Sequence, residues 1–465
     1  MSRTLLFSLL LFFGSILWSF IPPLVFLVTG LKWSLAGGGK LVDYSNPLVL
    51  LGFAVFLVCG AVLLFGHRKI QAALENEVRL AAGISILFLY LGYVLLWFHR
   101  EMLAARAQSP SFQNAQWLYL VTGAFFLLLA LKPPKRGEWA LSGALLFLLA
   151  LSPFLVHCFP FEMGFSDVFL DVKEACNNLL RGVSPYSLQS ERVWEGGCSY
   201  LPGLWLSFLP AVALKVDPRY LAVLYQILCA WVVWKAMGER NRLLATWLLV
   251  LFLLNPWALL RHDVYMPATL LAWALFYGAL RKGRETAAAR WYGLGLSMHP
   301  FHWALLPIWF AWTAKERGLQ KALSLLFQAL MVAAVIVLPF VLWDPRGFFE
   351  GPILAFAAKG AVNQSHFGLV VWLADRPVWL ALLALVFLGT GAVAVGRGKG
   401  TLDSLFRWLA FSLSLALLSS YHIEHYYYLV PLILALFHQI TVLDPEVGGR
   451  RLEPAWSWET KKSKG

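Results

Sequence analysis

Apolar residues in this chain run in long blocks rather than alternating, and the blocks approach the length of about 20 residues that a helix needs to cross the hydrocarbon core of a bilayer. They lie near 5 to 30, 47 to 66, 79 to 98, 115 to 131, 139 to 157, 218 to 234, 243 to 260, 264 to 280, 321 to 343, 377 to 396, 404 to 420 and 426 to 443. Short polar linkers separate them, so the pattern predicts an all-α, polytopic transmembrane helix bundle of about twelve spans. The first block follows Arg3 as in a signal peptide, but it is too long for one and lacks a small-x-small cleavage site, so it is expected to stay as the first span.

Composition agrees with the block pattern: 60% of residues are hydrophobic and 14% charged, far from the usage of soluble domains. The formal charge of +13 raises nucleic acid as a partner. The basic residues sit in short linkers rather than on one stripe, however, so topology accounts for them and nucleic-acid binding is not expected. These linkers hold Arg68 and Lys69; Lys132, Lys135 and Arg136; Lys235, Arg240 and Arg242; Arg281, Lys282 and Arg284; Lys315, Arg317 and Lys321; Arg397 and Lys399; and the tail ending KKSKG. Placing them all in the cytoplasm puts both termini inside.

That placement leaves two apolar pieces that cannot be simple crossings. The stretch 199 to 214 is short and contains Pro202 and Pro210, which fits a helix lying at the outer interface. The stretch 292 to 312 has basic linkers at both ends and is broken at His299 and Pro300, which fits a re-entrant helical hairpin lining a cavity.

Ionisable residues are nearly absent from the predicted spans and gather at their outer ends, a pattern that favours chemistry at a membrane face over coupled transport. The longest outer loop, 158 to 200, has helical periodicity, with Val168, Val172, Ala175 and Leu179 on one face and Asp167, Asp171, Glu174 and Asn178 on another. This predicts an amphipathic interface helix capped by Ser166 or Asp167 and ended by Gly182. Its acidic face is either a solvated side or a source of carboxylates for general-base work. A second cluster, Arg261, His262 and Asp263, occupies a tight outer turn, where snorkelling charges are the plainer account. A third, His422, Glu424 and His425, lies beside Tyr421, Tyr426, Tyr427 and Tyr428 and has no diagnostic metal spacing. His299 and His302 of the broken hairpin are candidates for a phosphate or acceptor contact, or are satisfied core histidines. Of the five cysteines, Cys158, Cys176 and Cys198 fall in the outer loop, where a disulfide is permitted; no zinc motif is present.

The run SDVFLDVKEACNNLLRGVSPY followed by SYLPGLWLSFLP resembles the first outer loop of GT-C glycosyltransferases, particularly the polyprenyl-phosphate-mannose-dependent family 87. The counterparts of that family's pattern are Asp167, Leu179 with Leu180, Gly182, Pro185 with Tyr186, and Tyr200 with Pro202. The likeness continues through NPWALLRHDVY, the short paired helices at 292 to 312, the LPFVLWDP step and the tyrosine-rich turn near the end. The chain departs from the family at Asp171, where an aromatic residue is more usual, at Leu201 or Gly203, where a second proline stands, and at His299, where lysine does.

The resemblance implies a GT-C-like core over 138–443, with outer loops 158–217 and 344–376, preceded by accessory helices in 1–137 and followed by a basic cytoplasmic tail, 444–465. It implies an inverting glycosyltransferase that moves a hexose, mannose by analogy, from a polyprenyl-phosphate carrier to a glycan or glycolipid on the extracytoplasmic face of a bacterial inner membrane. Asp167 matches the family's acidic position and is the expected base, with Asp171 in reserve. Arg261, His262, His299 and His302 are expected to meet the lipid phosphate; Glu174, Asp263, Tyr200, His422, Glu424 and His425 complete the candidate substrate contacts. No metal or other cofactor is expected. The competing expectations are a lipid-linked oligosaccharide transporter or flippase, in which Asp167 has no special role, and an assembly protein whose amphipathic helix docks a partner.

Overall fold

The computed structural model describes residues 137–158, 167–187, 198–238, 242–253, 266–354, 377–398, 400–419, 427 and 429–443, with backbone alone at some helical positions. The blocks at 5 to 30, 47 to 66, 79 to 98 and 115 to 131 lie outside the described residues, as does the tail 444–465. Among the described residues all regular structure is helical.

Eight helices fall on expected spans: α1 (Gly137–Cys158), α4 (Arg219–Ala236), α5 (Arg242–Leu253), α6 (Met266–Arg281), α9 (Leu319–Trp343), α11 (Pro377–Arg397), α12 (Leu402–Leu418) and α13 (Leu429–Leu443). Helix α9 has 25 residues and is long and apolar enough to cross a membrane; most of its surface is uncovered. Four helices fall elsewhere. They are α2 (Asp167–Leu180), α3 (Pro202–Ala213), and the two arms α7 (Glu285–Leu296) and α8 (Pro300–Arg317). A short α10 (Pro345–Phe348) runs into a π-helical turn at Phe349–Leu354.

Helix α6 is the axis of the bundle and is buried along nearly its whole length. It packs on α4, α7 and α13; α13 continues to α12, α12 to α11, α11 to α8 and α8 to α9, while α1 closes the other side against α5. Small residues set the closest approaches, as expected where helices associate by tight packing of backbones. A Cβ on Gly293 of α7 would strike the Ala329 carbonyl oxygen of α9 and come within 2.9 Å of the Val332 side chain. The buried residues of α9 are Ala322, Leu325, Ala329, Ala333 and Phe340, an alanine-rich stripe on an otherwise bulky helix.

Hydroxyls inside the helices bond back to their own turns: Ser152 to Leu148 O, Thr246 to Arg242 O, Thr313 to Trp309 O and Thr441 to Phe437 O. This satisfies each donor without a partner helix.

Among the described residues the basic linkers gather at one end. Arg281 Nε donates to the Ala236 carbonyl at 3.2 Å, Arg317 pairs with Glu285, Trp312 Nε1 donates to Gly400 O at 3.0 Å, and His438 Nδ1 meets Asp403 O at 2.9 Å. The Glu285–Arg317 pair ties the far ends of α7 and α8, so both arms of the broken hairpin start from the same end of the bundle. The break falls at Ser297–His299, just ahead of the expected His299 and Pro300, with Pro300 opening α8, and α7 with 12 residues carries it about 18 Å in from that end. The arms meet through Tyr292 of α7, which stacks on Trp309 and donates to His302 O at 2.7 Å, while α7 also packs on α6 and α9 and α8 on α11.

Candidate functional site

Helix α2 ends as its sequence predicts. Gly182, at φ +73°, donates to Leu179 O at 3.0 Å while Val183 donates to Asn178 O at 2.9 Å, a Schellman arrangement that only a residue free to adopt positive φ closes without strain. Val168, Phe169, Val172, Ala175 and Cys176 form its buried face. The polar side is not simply solvated: Asp171 and Asn178 are 7% and 6% exposed, and Glu174 is half-buried. Ser199 Oγ donates to Asp171 Oδ2 at 3.4 Å, so the segment leading into α3 folds over this carboxylate. Asp167 opens the helix, and its side chain lies outside the described part.

Beyond Gly182 the chain turns through Ser184, Pro185 and Tyr186. Ser184 Oγ donates to Asp344 Oδ2 at 2.6 Å, across 160 residues of sequence. Asp344 also caps α10 by accepting from Gly347 N at 2.9 Å, so both its oxygens are committed and it holds structure together. Tyr186 donates to Tyr200 O at 3.0 Å and accepts from Trp205 Nε1 at 3.2 Å. Its ring meets Trp205 and Phe348 edge-on. Burial pushes the Tyr186 phenol well above its ordinary range, with Cys198 adding to the effect, so the hydroxyl remains a donor at any ordinary pH. Cys176 and Cys198 are both thiols, and burial pushes Cys176 up to about 12, which removes it as a nucleophile.

Helix α3 is the short helix expected from 199 to 214, with Pro202 in its first turn. Its start inserts against the hairpin break: Gly203 N donates to Ser297 O at 2.9 Å. A Cβ at 203 would collide with Ser297 Oγ and come within 2.9 Å of the Ser297 carbonyl atoms, so the contact needs glycine at this position.

At the break itself, His299 caps α8, its Nδ1 accepting from Phe301 N at 3.3 Å, and it lies 5.9 Å from the Tyr427 ring. His302 is 1% exposed, stacked at 4.2 Å on Trp273 and edge-on to Tyr292; neither ring nitrogen has a hydrogen-bond partner among the described residues. It sits inside the bundle rather than on a wall, a position set by Gly295, whose missing Cβ makes the room.

Five separated segments therefore meet: α2 with its turn, Cys198–Gly203, the break at Ser297–His299, the end of α9 with Asp344, and Tyr427. Of the sequence candidates, Asp171, Tyr200 and His299 are in this assembly and Glu174 is at its edge. Arg261, His262, Asp263, His422, Glu424 and His425 lie outside the described residues. Sequence reasoning missed Ser199, Ser297 and Trp205; it noted the WDP step without its link to Ser184, although Asp before Pro is an N-cap signal. Among the described residues no group of three or more His, Cys, Asp or Glu side chains is placed to hold a metal. Comparison with known families, characterised proteins and solved structures gives no match.

Proposed function

We propose that the chain is a multi-pass membrane protein of about twelve spans, with both termini cytoplasmic, that works as an inverting glycosyltransferase. Its donor is a hexose, mannose by the family resemblance, on a polyprenyl phosphate, and its acceptor is a glycan or glycolipid on the extracytoplasmic side. The observation that carries this reading is the meeting of the outer-loop helix, the hairpin break and the Asp344 step, motifs that follow one another along GT-C sequences and here contact one another far from the basic linkers. Lipid anchoring of the donor agrees with the bare apolar surface of α9.

In the proposed reaction an acceptor oxygen attacks the anomeric carbon, the bond from that carbon to the phosphate oxygen breaks, and its electron pair leaves with the polyprenyl phosphate. The acceptor proton passes to a carboxylate, for which Asp167 and Asp171 are the candidates; burial of Asp171 under Ser199 favours a general-base role for that side of α2. Arg261, His262 and His299 are the candidates for the departing phosphate. One displacement inverts the anomeric configuration.

The test is transfer of label from radiolabelled polyprenyl-phosphate mannose to a mixed membrane-lipid extract, with EDTA present, by wild type, Asp167→Asn and Asp171→Asn. Loss of transfer by at least about a hundredfold in one folded variant identifies the base. No transfer by wild type, together with movement of labelled lipid across a bilayer, replaces the enzyme by a flippase.

A further inference from the structure

From the basic end of the bundle along α7 as far as Leu294, just short of the hairpin break, α7 and α9 enclose an open groove of about 680 Å³. Arg284 and Arg290 line it, together with Thr286, Trp291, Leu294 and Val332. Both arginines are exposed, and neither meets a carboxylate among the described residues. Glu285, the acid at the mouth, is taken by Arg317. The groove is therefore cationic at one end. At the other it is apolar: Trp291 is partly exposed, and the wall at Val332 continues onto Met331 and Val335, which are exposed on α9.

A soluble anion would satisfy the arginines and leave that wall in water. A molecule with a phosphate at one end and hydrocarbon at the other covers both, and tryptophan at the transition between them is what a membrane interface selects. We propose that this groove binds an anionic phospholipid, its phosphodiester held by Arg284 and Arg290 and an acyl chain lying along Trp291, Leu294 and the exposed face of α9. The volume suits a headgroup with its glycerol and the start of one acyl chain, the rest of the hydrocarbon lying on the exposed face of α9. Basic pockets between helices on the cytoplasmic side attract anionic headgroups by the same electrostatics that orient the helices. The assignment rests on the membrane-embedded part of the function proposed above and is independent of the glycosyl transfer.

The test uses the full-length protein in detergent, with lipid retention read by native mass spectrometry for phosphatidylglycerol and phosphatidylcholine. Wild type should retain phosphatidylglycerol about tenfold better. Arg284→Gln with Arg290→Gln should bring the two lipids level, Arg284→Lys with Arg290→Lys should keep most of the preference, and Lys215→Gln, on a distant turn, should change nothing. Equal retention of both lipids by wild type overturns the proposal. So does displacement of phosphatidylglycerol by millimolar inorganic phosphate, which makes the groove a soluble-anion site. Carbonate extraction separates the two levels: a protein released from membranes loses the embedded reading as a whole, whereas one that stays in the membrane but shows no lipid preference loses the groove alone.

Discussion

Tyr186 holds the turn after α2 to α3 with one hydroxyl that both gives and takes a hydrogen bond. Tyr186→Phe should lower stability by about 1–2 kcal/mol, the cost of leaving a buried indole N–H and a carbonyl unmatched, measured as thermal or denaturant unfolding in detergent. The phenol is raised in the folded protein, so the folded state holds the proton more tightly than the unfolded one. Its contribution is complete below the ordinary tyrosine range and declines as pH climbs above about 10. The alkaline loss of stability should therefore be shallower in Tyr186→Phe than in wild type. Ser184 and Asp344 should show a coupling of about 1–3 kcal/mol in a double-mutant cycle, because the bond is short and its acceptor ionised. These residues are individually visible in the sequence, as a serine before a turn proline, an aromatic and an acid before proline. Their partnerships are not, since nothing in local spacing joins positions 160 apart.

Helix boundaries were far more legible than contacts. The expected block 218 to 234 became Arg219–Ala236, and 377 to 396 became Pro377–Arg397, because long apolar runs bounded by charge or proline leave little freedom in where a helix ends. The amphipathic helix and its Gly182 stop were also readable. Periodicity left open whether the acidic face of α2 is solvated; Asp171 and Asn178 are buried, and Ser199 folds over Asp171 from outside the window that periodicity surveys. The alanine stripe of α9 was overlooked for a related reason: small residues carry no strong hydropathy signal, yet they decide how near two helices come. Gly293→Val should push α7 off α9 and cost about 1–3 kcal/mol or more, seen as a lower unfolding temperature, and Gly182→Ala about 1 kcal/mol through its positive φ.

At the scale of the molecule, among the described residues, the basic linkers separate from the candidate chemistry. Linkers rich in lysine and arginine are tied together at one end, and the carboxylates and aromatic turns of the 167–203 region meet elsewhere. If a membrane lies between them, a membrane-impermeant thiol reagent should label Lys282→Cys from the cytoplasmic side alone and Lys173→Cys from the opposite side alone. Labelling of both from one side would remove the topology drawn from the basic linkers. The bond from Gly203 to Ser297, which seats the outer loop on the hairpin, has a consequence for any mutational map of this protein. Main-chain atoms make it, so trimming side chains never severs it, and a survey by alanine finds the junction inert at position after position. At 203 alanine is an addition rather than a deletion, and the smallest of all substitutions becomes the one that unseats the loop.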